Sequence, residues 1–187
     1  MYRQRIIMIA AVSPEGILAI DGQMPWYQPE DLKRFKRLTT DNVLIYGRKT
    51  FDSFDRKPLL GRKNYIISSS LSPTRSLYEN NIISIYSNID NAISDARLLY
   101  DKTKDIYIGG GATLYEQTLP IVDNIELTII DKDQVCYYEG ERTMFPNWKT
   151  FSKDFEVEKI SRCSTCQYVS YKRKPVSPIN KIRSLFL

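Results

Sequence analysis

The sequence lacks histidine altogether and contains only three cysteines among its 187 residues. Without an imidazole, Ser-His and Cys-His mechanisms and histidine metal sites are excluded, so proton transfer is left to carboxylates, lysines, tyrosines or thiols. Three cysteines are too few for a disulfide framework and favour a reducing compartment. Cys163 and Cys166 form a lone CxxC pair, which a hairpin turn explains better than metal binding or redox chemistry, and we expect no metal.

Long hydrophobic runs are also missing. No apolar stretch approaches the ~18 residues that a membrane span requires, and the run at residues 6–12 is too short for most signal-peptide cores. Because that run is rich in residues typical of buried strands, we interpret it as the first strand of a cytoplasmic protein with no membrane partner. The length predicts one domain that needs no disulfide or structural metal.

The balance of charge is moderately basic, with 27 Lys and Arg residues against 22 Asp and Glu residues and a net charge of +5. Such a charge suits nucleic acid, but it suits small ligands carrying phosphates or carboxylates equally well. Charge alone leaves both classes of partner open.

Short runs rich in β-branched residues alternate with helical patterns along most of the chain. The runs predict buried strands at residues 6–12, 43–46, 65–67, 82–86, 106–108 and 125–130. The helical patterns occupy residues 30–38, 49–54, 91–100 and 112–119. This alternation predicts a single α/β domain, with a mostly parallel central sheet and helices on both faces.

The last third of the chain changes character. Residues 155–160 and 167–172 predict paired antiparallel strands that close one sheet edge. We place the domain at residues 1–174 and a tail at 175–187, which is either folded along the surface or partly disordered, with a short amphipathic docking element as the alternative.

Three strand-to-helix junctions carry residues suited to phosphate. Glycines at 109–111 would let backbone N–H groups approach a pyrophosphate at a helix N-terminus, although such glycines often form only a tight turn. Residues 47–50 offer two cations and a hydroxyl, or merely solvated side chains, and residues 68–70 offer hydroxyls, or merely a turn. Because ligands collect at the carboxyl ends of parallel strands, the three junctions together favour a phosphate-bearing ligand.

An acid lies beside the apolar stripe of the first helix, in the stretch MPWYQPEDLKRF at residues 24–35. We expect Leu32 and Phe35 to face inward, which places Asp31 at the edge of their stripe and Glu30 outward. A buried carboxylate is costly without a partner. Asp31 therefore either caps another group or takes part in chemistry.

The order of these pieces resembles the dihydrofolate reductase family. The matching stretches are IAAVSPEGILAIDGQMPWYQPEDLKRFKRLT, VLIYGRKTFDSF, KPLLGRKNYIISSS, IYIGGGATLYEQTLP, IELTIID and GERTMFP, over roughly residues 6–146. The resemblance implies NADPH-dependent reduction of 7,8-dihydrofolate to tetrahydrofolate, in support of one-carbon metabolism and of thymidylate and purine synthesis. It also implies a monomer that binds antifolate inhibitors and no nucleic acid.

On the substrate side, the resemblance gives Asp31 the role of the family's essential carboxylate. It would accept two N–H bonds from the pterin, while Thr128 is linked to it through its hydroxyl and water delivers the proton. Arg62 would clamp the glutamate α-carboxylate of folate, a bidentate task that suits arginine, while Lys63 is solvated. The other implied substrate contacts are Ile9, Ala10, Leu32, Phe35, Phe54, Leu59 and Gly109.

On the cofactor side, the resemblance places Arg48, Lys49 and Ser69 at the adenosine 2′-phosphate, which favours NADPH over NADH. It implies a cis peptide between Gly110 and Gly111. The segment 16–24 corresponds to a mobile loop that closes over the nicotinamide and excludes water. The other implied cofactor contacts are Ala11, Leu18, Met24, Gly47, Thr50, Ser68, Ala112, Thr113 and Tyr115.

The chain departs from the family pattern at several positions. Ala19 replaces the usual glycine, so its β-carbon should restrict φ and shift loop closure. Gly109 replaces a larger apolar residue and should enlarge the pocket near the pterin carbonyl. Glu141, with an extra residue after it, replaces a shorter acidic turn.

Two other functions stay open at this point. A reductase of similar fold that acts on a pyrimidine intermediate of riboflavin synthesis should lack both the PW-x4-D acid and the LxGR arginine, which this chain has. A basic, non-enzymatic binding module would bind nucleic acid with steep salt dependence.

Overall fold

The computed structural model describes residues 4–78 and 81–175. The strands are β1 (Ile6–Val12), β2 (Ile17–Ile20), β3 (Val43–Gly47), β4 (Lys63–Ile67), β5 (Thr74–Tyr78), β6 (Asn81–Tyr86), β7 (Ile106–Ile108), β8 (Asn124–Ile130), β9 (Arg142–Met144), β10 (Phe155–Arg162) and β11 (Cys166–Arg173). The α-helices are α1 (Pro29–Thr39), α2 (Arg48–Asp52), α3 (Ile89–Leu99) and α4 (Ala112–Thr118). Short 3₁₀ turns follow β8 and precede β10.

A nine-stranded sheet forms the centre of the molecule, in the order β10-β11-β8-β1-β7-β3-β4-β6-β5. The six strands from β8 to β6 run parallel to one another, whereas β11 pairs antiparallel with β8, β10 with β11 and β5 with β6. The predicted mostly parallel sheet with antiparallel C-terminal strands is therefore confirmed. The sequence did not predict β2, β5 or β9.

Alternate side chains of each parallel strand enter two different cores. On β1, Met8 and Ala10 pack in a cluster with side chains of α3 and α4. Ile7 and Ile9 point the other way, into a cluster with Phe35 of α1 and Phe51 of α2. Because a strand buried on both faces must be apolar at every position, this packing explains the continuous apolar runs and confirms helices on both faces.

The carboxyl ends of β3 and β7 meet because these strands are neighbours in the sheet. The Gly47 amide, at the end of β3, donates to the Gly110 carbonyl at 2.7 Å, and the Gly109 amide donates to the Ile45 carbonyl at 2.8 Å. Two of the predicted phosphate junctions are thus held side by side.

The C-terminal hairpin contains the CxxC pair. Cys163 and Cys166 flank the turn between β10 and β11, which agrees with the hairpin prediction. They are joined by a disulfide, which the sequence interpretation did not anticipate. The predicted tail lies outside the described residues after Pro175. Within the described ranges, no helix is long and apolar enough to cross a membrane.

Candidate active site

The first turn of α1 carries the candidate acid. Pro29 stands at the first helical position, where its fixed φ and missing N–H suit a helix start. Asp31 is partly buried, whereas Glu30 is exposed and pairs with Lys33, Oε1 to Nζ, at 2.8 Å. The helix therefore turns Asp31 toward the protein and Glu30 toward solvent, as the spacing predicts.

Burial raises the pKa of Asp31 above its ordinary value, since removal of water disfavours the ionised form. Two neighbours oppose this effect: the Thr128 hydroxyl of β8 and, more weakly, the positive charge of Arg34. The Thr128 hydroxyl is buried and has no partner of strict hydrogen-bond geometry in the described chain. The Thr128 hydroxyl therefore lies close enough to Asp31 to favour its ionised form, without a hydrogen bond of strict geometry.

Apolar side chains of the candidate substrate site lie beside α1 on one face of the sheet. Ile9 is 4% exposed, and Phe35, Phe54 and Leu59 pack partly buried in the same cluster. Leu32 is 47% exposed and is not part of this cluster, so it is less buried than its predicted inward position implies, and its contact with substrate stays a prediction. Ala10 packs on the opposite face of the sheet, so only its backbone faces the candidate site side.

Arg62 is a buried cation, 7% exposed. Its guanidinium donates from Nε and Nη2 to the Leu60 carbonyl at 3.0 and 2.9 Å, and from Nη1 to the Thr39 hydroxyl at 3.2 Å. These acceptors are neutral, and burial lowers the pKa of Arg62. A carboxylate ligand would supply the opposite charge that these partners do not.

Lys63, next along the chain, is not simply solvated. It is half-buried, and its Nζ lies 5.8 Å from the centre of the Tyr100 ring. The prediction of a solvated side chain did not include this contact with Tyr100.

Cations and a hydroxyl border the glycine junction. A β-carbon on Gly111 would lie 3.6 Å from Thr50 Oγ1, so the bare backbone of Gly111 and this hydroxyl are neighbours. Lys49 is exposed, whereas Arg48 Nη1 pairs with Asp52 at 2.6 Å. Arg48 must therefore share its charge between Asp52 and any phosphate.

The Gly110–Gly111 peptide is cis, as the resemblance implies. Gly110 has a φ of +107°, and a β-carbon there would meet the Tyr115 hydroxyl at 3.0 Å, so this position requires glycine. Tyr115 is buried and donates its hydroxyl to the Ile9 carbonyl at 2.7 Å. Its hydroxyl thus joins the glycine junction to the strand that borders the candidate substrate site.

Two serines of the junction at residues 68–70 differ in role: one forms a turn, and the other is free to meet a ligand. Ser68 is buried, and its hydroxyl oxygen accepts from the amides of Ser70 and Leu71 at 3.2 and 3.0 Å. It therefore forms a turn, whereas Ser69 is exposed and accessible to a ligand.

Of the expectations about departures from the family pattern, the one for Gly109 is wrong, and the effect of Ala19 on loop closure stays a prediction. A β-carbon on Gly109 would meet Leu44 Cδ1 at 3.0 Å, so core packing fills the space beside this glycine and no pocket is enlarged there. Ala19 lies in β2 opposite Thr143, and its φ is not among the positive values. Its β-carbon therefore imposes no left-handed strain.

The segment 16–24 is tied to the chain that precedes and forms β9. Within it, β2 pairs antiparallel with β9, and the Asp21 amide donates to the Glu141 carbonyl at 2.9 Å. Leu18 packs against the α3–α4 side of the core, whereas Met24 is 54% exposed. Three other predicted cofactor residues are not buried: Ala11 and Ala112 are partly exposed, and Thr113 is exposed.

Sequence reasoning missed the cation whose charge acts on Asp31. Arg34 is 8% exposed and forms a salt bridge with Glu126 of β8. The signal was present in the helix period, because Arg34 follows Asp31 by three residues and so shares its face of α1. The identity of the partner was not readable, since 92 residues separate the two side chains.

A sequence profile described as dihydrofolate reductase matches residues 5–173. The chain is similar to dihydrofolate reductase type 9 of Escherichia coli, at 36% identity over 84% of this chain and 86% of that protein. The chain belongs to the dihydrofolate reductase family. The predicted resemblance is confirmed, and neither alternative interpretation accounts for this match.

Other dihydrofolate reductases agree with this assignment. The protein of that name from Buchnera aphidicola is 39% identical over 78% of this chain and 84% of its own length. A solved dihydrofolate reductase from Enterococcus faecalis, complexed with NADP(H) and RAB-propyl, superposes with a TM-score of 0.71 at 24% identity. It covers 94% of this chain and 100% of that one, which shows that the fold is shared.

Proposed function

We propose that this member of the dihydrofolate reductase family reduces 7,8-dihydrofolate to tetrahydrofolate with NADPH, and that Asp31 is its catalytic carboxylate. The observation that carries the proposal is a single partly buried acid on α1, beside an apolar cluster and a buried threonine. Membership of the family supports the reaction. The proposed reaction consumes one hydride from NADPH and one proton from solvent for each C=N bond that is reduced.

Asp31 suits the 2-amino-4-oxo face of a pterin. Its two oxygens accept adjacent N–H donors from one planar ring, and these bonds compensate the burial of its charge. Thr128 has an unpartnered hydroxyl at the same place. Phe35 and Phe54, both partly buried, would contact the faces of a flat heterocycle, which aligns it for transfer.

Arg62 suits the other end of a folate. It is buried, positively charged and bonded to neutral oxygens, so a glutamate carboxylate would gain a bidentate, charge-assisted contact. Together with Asp31 it would orient a long, polar substrate between two charges of opposite sign.

The residues at the sheet edge fit a phosphorylated dinucleotide. When bound, NADPH supplies the hydride. Gly110 and Gly111 present a backbone without side chains next to the Thr50 hydroxyl, and exposed Lys49 and Ser69 suit a further phosphate. The loop 16–24 would cover this edge and exclude water.

Proton delivery depends on the same carboxylate. The raised pKa of Asp31 keeps its proton affinity closer to the working pH, which favours general acid-base chemistry through water. Hydride addition to an imine is easier once its nitrogen is protonated.

The test mixes the purified protein with NADPH and dihydrofolate and follows the absorbance of NADPH. We expect dihydrofolate-dependent oxidation, and a loss in Asp31→Asn of about 10²- to 10⁴-fold in kcat/KM. Glu30→Gln, on the exposed side of the same turn, is the matched control and should retain the activity. A parent protein that oxidises no NADPH, or that binds nucleic acid with steep salt dependence instead, overturns the reaction; a fully active Asp31→Asn overturns only the role of Asp31.

We further propose that the protein works as a monomer and that antifolate inhibitors occupy the substrate site. Sedimentation should then give the mass of one 21.8 kDa chain, with or without ligands.

A further inference from the structure

A buried ion pair ties α1 to the sheet next to the candidate acid. Arg34 of α1 is 8% exposed, and its guanidinium forms a salt bridge with the Glu126 carboxylate of β8, whose side chain is 17% exposed. Glu126 also accepts a hydrogen bond of 2.7 Å from the Ser170 hydroxyl of β11. The guanidinium lies 4.8 Å from the centre of the Tyr168 ring. The side chain of Arg34 on α1 therefore contacts residues of both β8 and β11.

The ion pair and the acid form two adjacent contacts between α1 and β8. Arg34 follows Asp31 by three residues on the helix, and Glu126 precedes Thr128 by two residues on the strand, so each pair shares a face. The register of β11 repeats this arrangement, since Ser170 lies opposite Glu126 and Tyr168 lies opposite Thr128. A shift of α1 along β8 would break both contacts together.

The charged and titratable groups around Asp31 come from four elements. Glu30 and Arg34 belong to α1, Glu126 to β8, Tyr168 to β11 and Tyr115 to α4. Both tyrosines have pKa values above the ordinary one, because they are desolvated and because Asp31 is negative, so they stay neutral. Arg34 is the one cation in the described chain that acts directly on Asp31.

We propose that the Arg34–Glu126 ion pair is a positioning device for Asp31: it fixes α1 against β8 and β11 and holds a permanent positive charge one helical turn from the acid. The inference deepens the proposed function, on which its kinetic measurement rests. Arg34 touches neither substrate nor cofactor in this proposal. It acts through Asp31.

Removal of Arg34 alone would leave Glu126 buried without a cation, which destabilises a folded chain strongly. The informative variant is therefore Arg34→Met with Glu126→Gln, which removes both charges and keeps similar volumes. Arg34→Lys is the conservative variant, because it keeps the charge but loses the planar fork. Lys33→Met is the matched control, since Lys33 is a neighbouring cation of α1 whose side chain is 74% exposed.

The first measurement needs no activity. The carboxyl carbon of Asp31, identified by its absence in Asp31→Asn, is titrated by NMR in each folded variant. We expect a higher pKa of Asp31 in the double variant than in the parent, an intermediate effect in Arg34→Lys and none in Lys33→Met. An unchanged pKa in a folded double variant, or an equal rise in Lys33→Met, overturns the proposal.

The second measurement is the KM for dihydrofolate across pH. If the ionised acid binds the pterin, the double variant should show a KM raised several-fold at acidic pH that returns toward the parent value as pH rises. A KM raised by the same factor at every pH would show only a loss of helix position, and that result overturns the action of the Arg34 charge on Asp31. A parent with no activity would contradict the proposed function but leave the NMR test intact.

Discussion

At the scale of single residues, the partial burial of Asp31 opposes its charge. Burial raises its pKa, so the folded chain binds the proton more tightly than the unfolded chain does. The free energy of unfolding therefore falls as pH rises from the ordinary carboxyl value through the raised one, and this stabilisation is absent at neutral pH. An ionised Asp31 is kept at the expense of stability, which is common at functional sites.

The neutral amide of Asp31→Asn should consequently raise the unfolding temperature at neutral pH. The difference from the parent should shrink as the pH is lowered through the raised pKa, because the parent carboxyl is then also neutral. Thermal unfolding of both proteins across pH measures this, with Glu30→Gln as the exposed control. An Asp31→Asn protein that is less stable than the parent at neutral pH would contradict the sign.

Arg48 and Lys49 differ in how freely they can meet a phosphate. Asp52 accepts from Arg48 at 2.6 Å and from Arg56 at 2.7 Å, and these arginines, Arg56 first, lower its pKa. Lys49 is exposed, and no salt bridge involves it in the described chain. Lys49 is therefore the readier partner of a 2′-phosphate, and Arg48 must leave Asp52 or bind both.

We expect Lys49→Gln to lower kcat/KM for NADPH by roughly tenfold, which corresponds to the loss of one hydrogen bond to a charged group. The kcat/KM for NADH should stay unchanged, because NADH has no 2′-phosphate. Asp52→Asn should strengthen NADPH binding, since it releases Arg48. Steady-state kinetics with both cofactors measure the effect, and Lys57→Gln, an exposed cation nearby, serves as control. Equal losses with NADPH and NADH would remove the case for a 2′-phosphate site.

At the scale of elements, β2 and β9 form a two-stranded sheet that has little stability of its own. Asp21 closes it: its φ is +48°, and its Oδ1 accepts from the Glu141 amide at 2.8 Å. The Tyr138 hydroxyl donates to the Ile20 carbonyl at 2.8 Å. The candidate lid 16–24 is thus held by these polar contacts together with apolar packing, since Ile17 and Ile20 are buried and Leu18 packs against the core.

Asp21→Ala should loosen this sheet, because alanine disfavours a positive φ and cannot accept the hydrogen bond. We expect a loss of about 1–2 kcal/mol in local protection. Asp21→Gly restores only the backbone freedom, and Asp21→Asn restores the acceptor as well. Amide hydrogen exchange of Glu141 and Thr143 ranks the three variants; exchange in Asp21→Asn as fast as in Asp21→Ala would show that Asp21 does not hold the lid.

The central strands, the helices and the C-terminal hairpin were readable from the sequence, and the short strands β2 and β9 were not. The runs that predicted β1 and β7 give the observed bounds, because each residue there packs in a core. The first helix, predicted at 30–38, spans Pro29–Thr39. The strands β2 and β9 are four and three residues long, so they carry no usable period.

At the scale of the molecule, strand order places the site. The neighbours β1, β7 and β3 come from distant parts of the chain, and their parallel pairing collects Gly47 and Gly110 at one edge. Parallel strands require crossovers, which put α1 and α2 on one face and α3 and α4 on the other. The position of the candidate site in the molecule therefore depends on the order of the strands and their crossover connections rather than on any local motif.

The sequence by itself determined the α/β class, the central strands and the family, because buried strands and closely spaced motifs are local patterns. It also indicated Asp31, through its place on a helix face. Only the tertiary structure decided that Leu44 fills the space beside Gly109 and that Glu126 pairs with Arg34. Those contacts join residues far apart in the chain, and packing in three dimensions selects them.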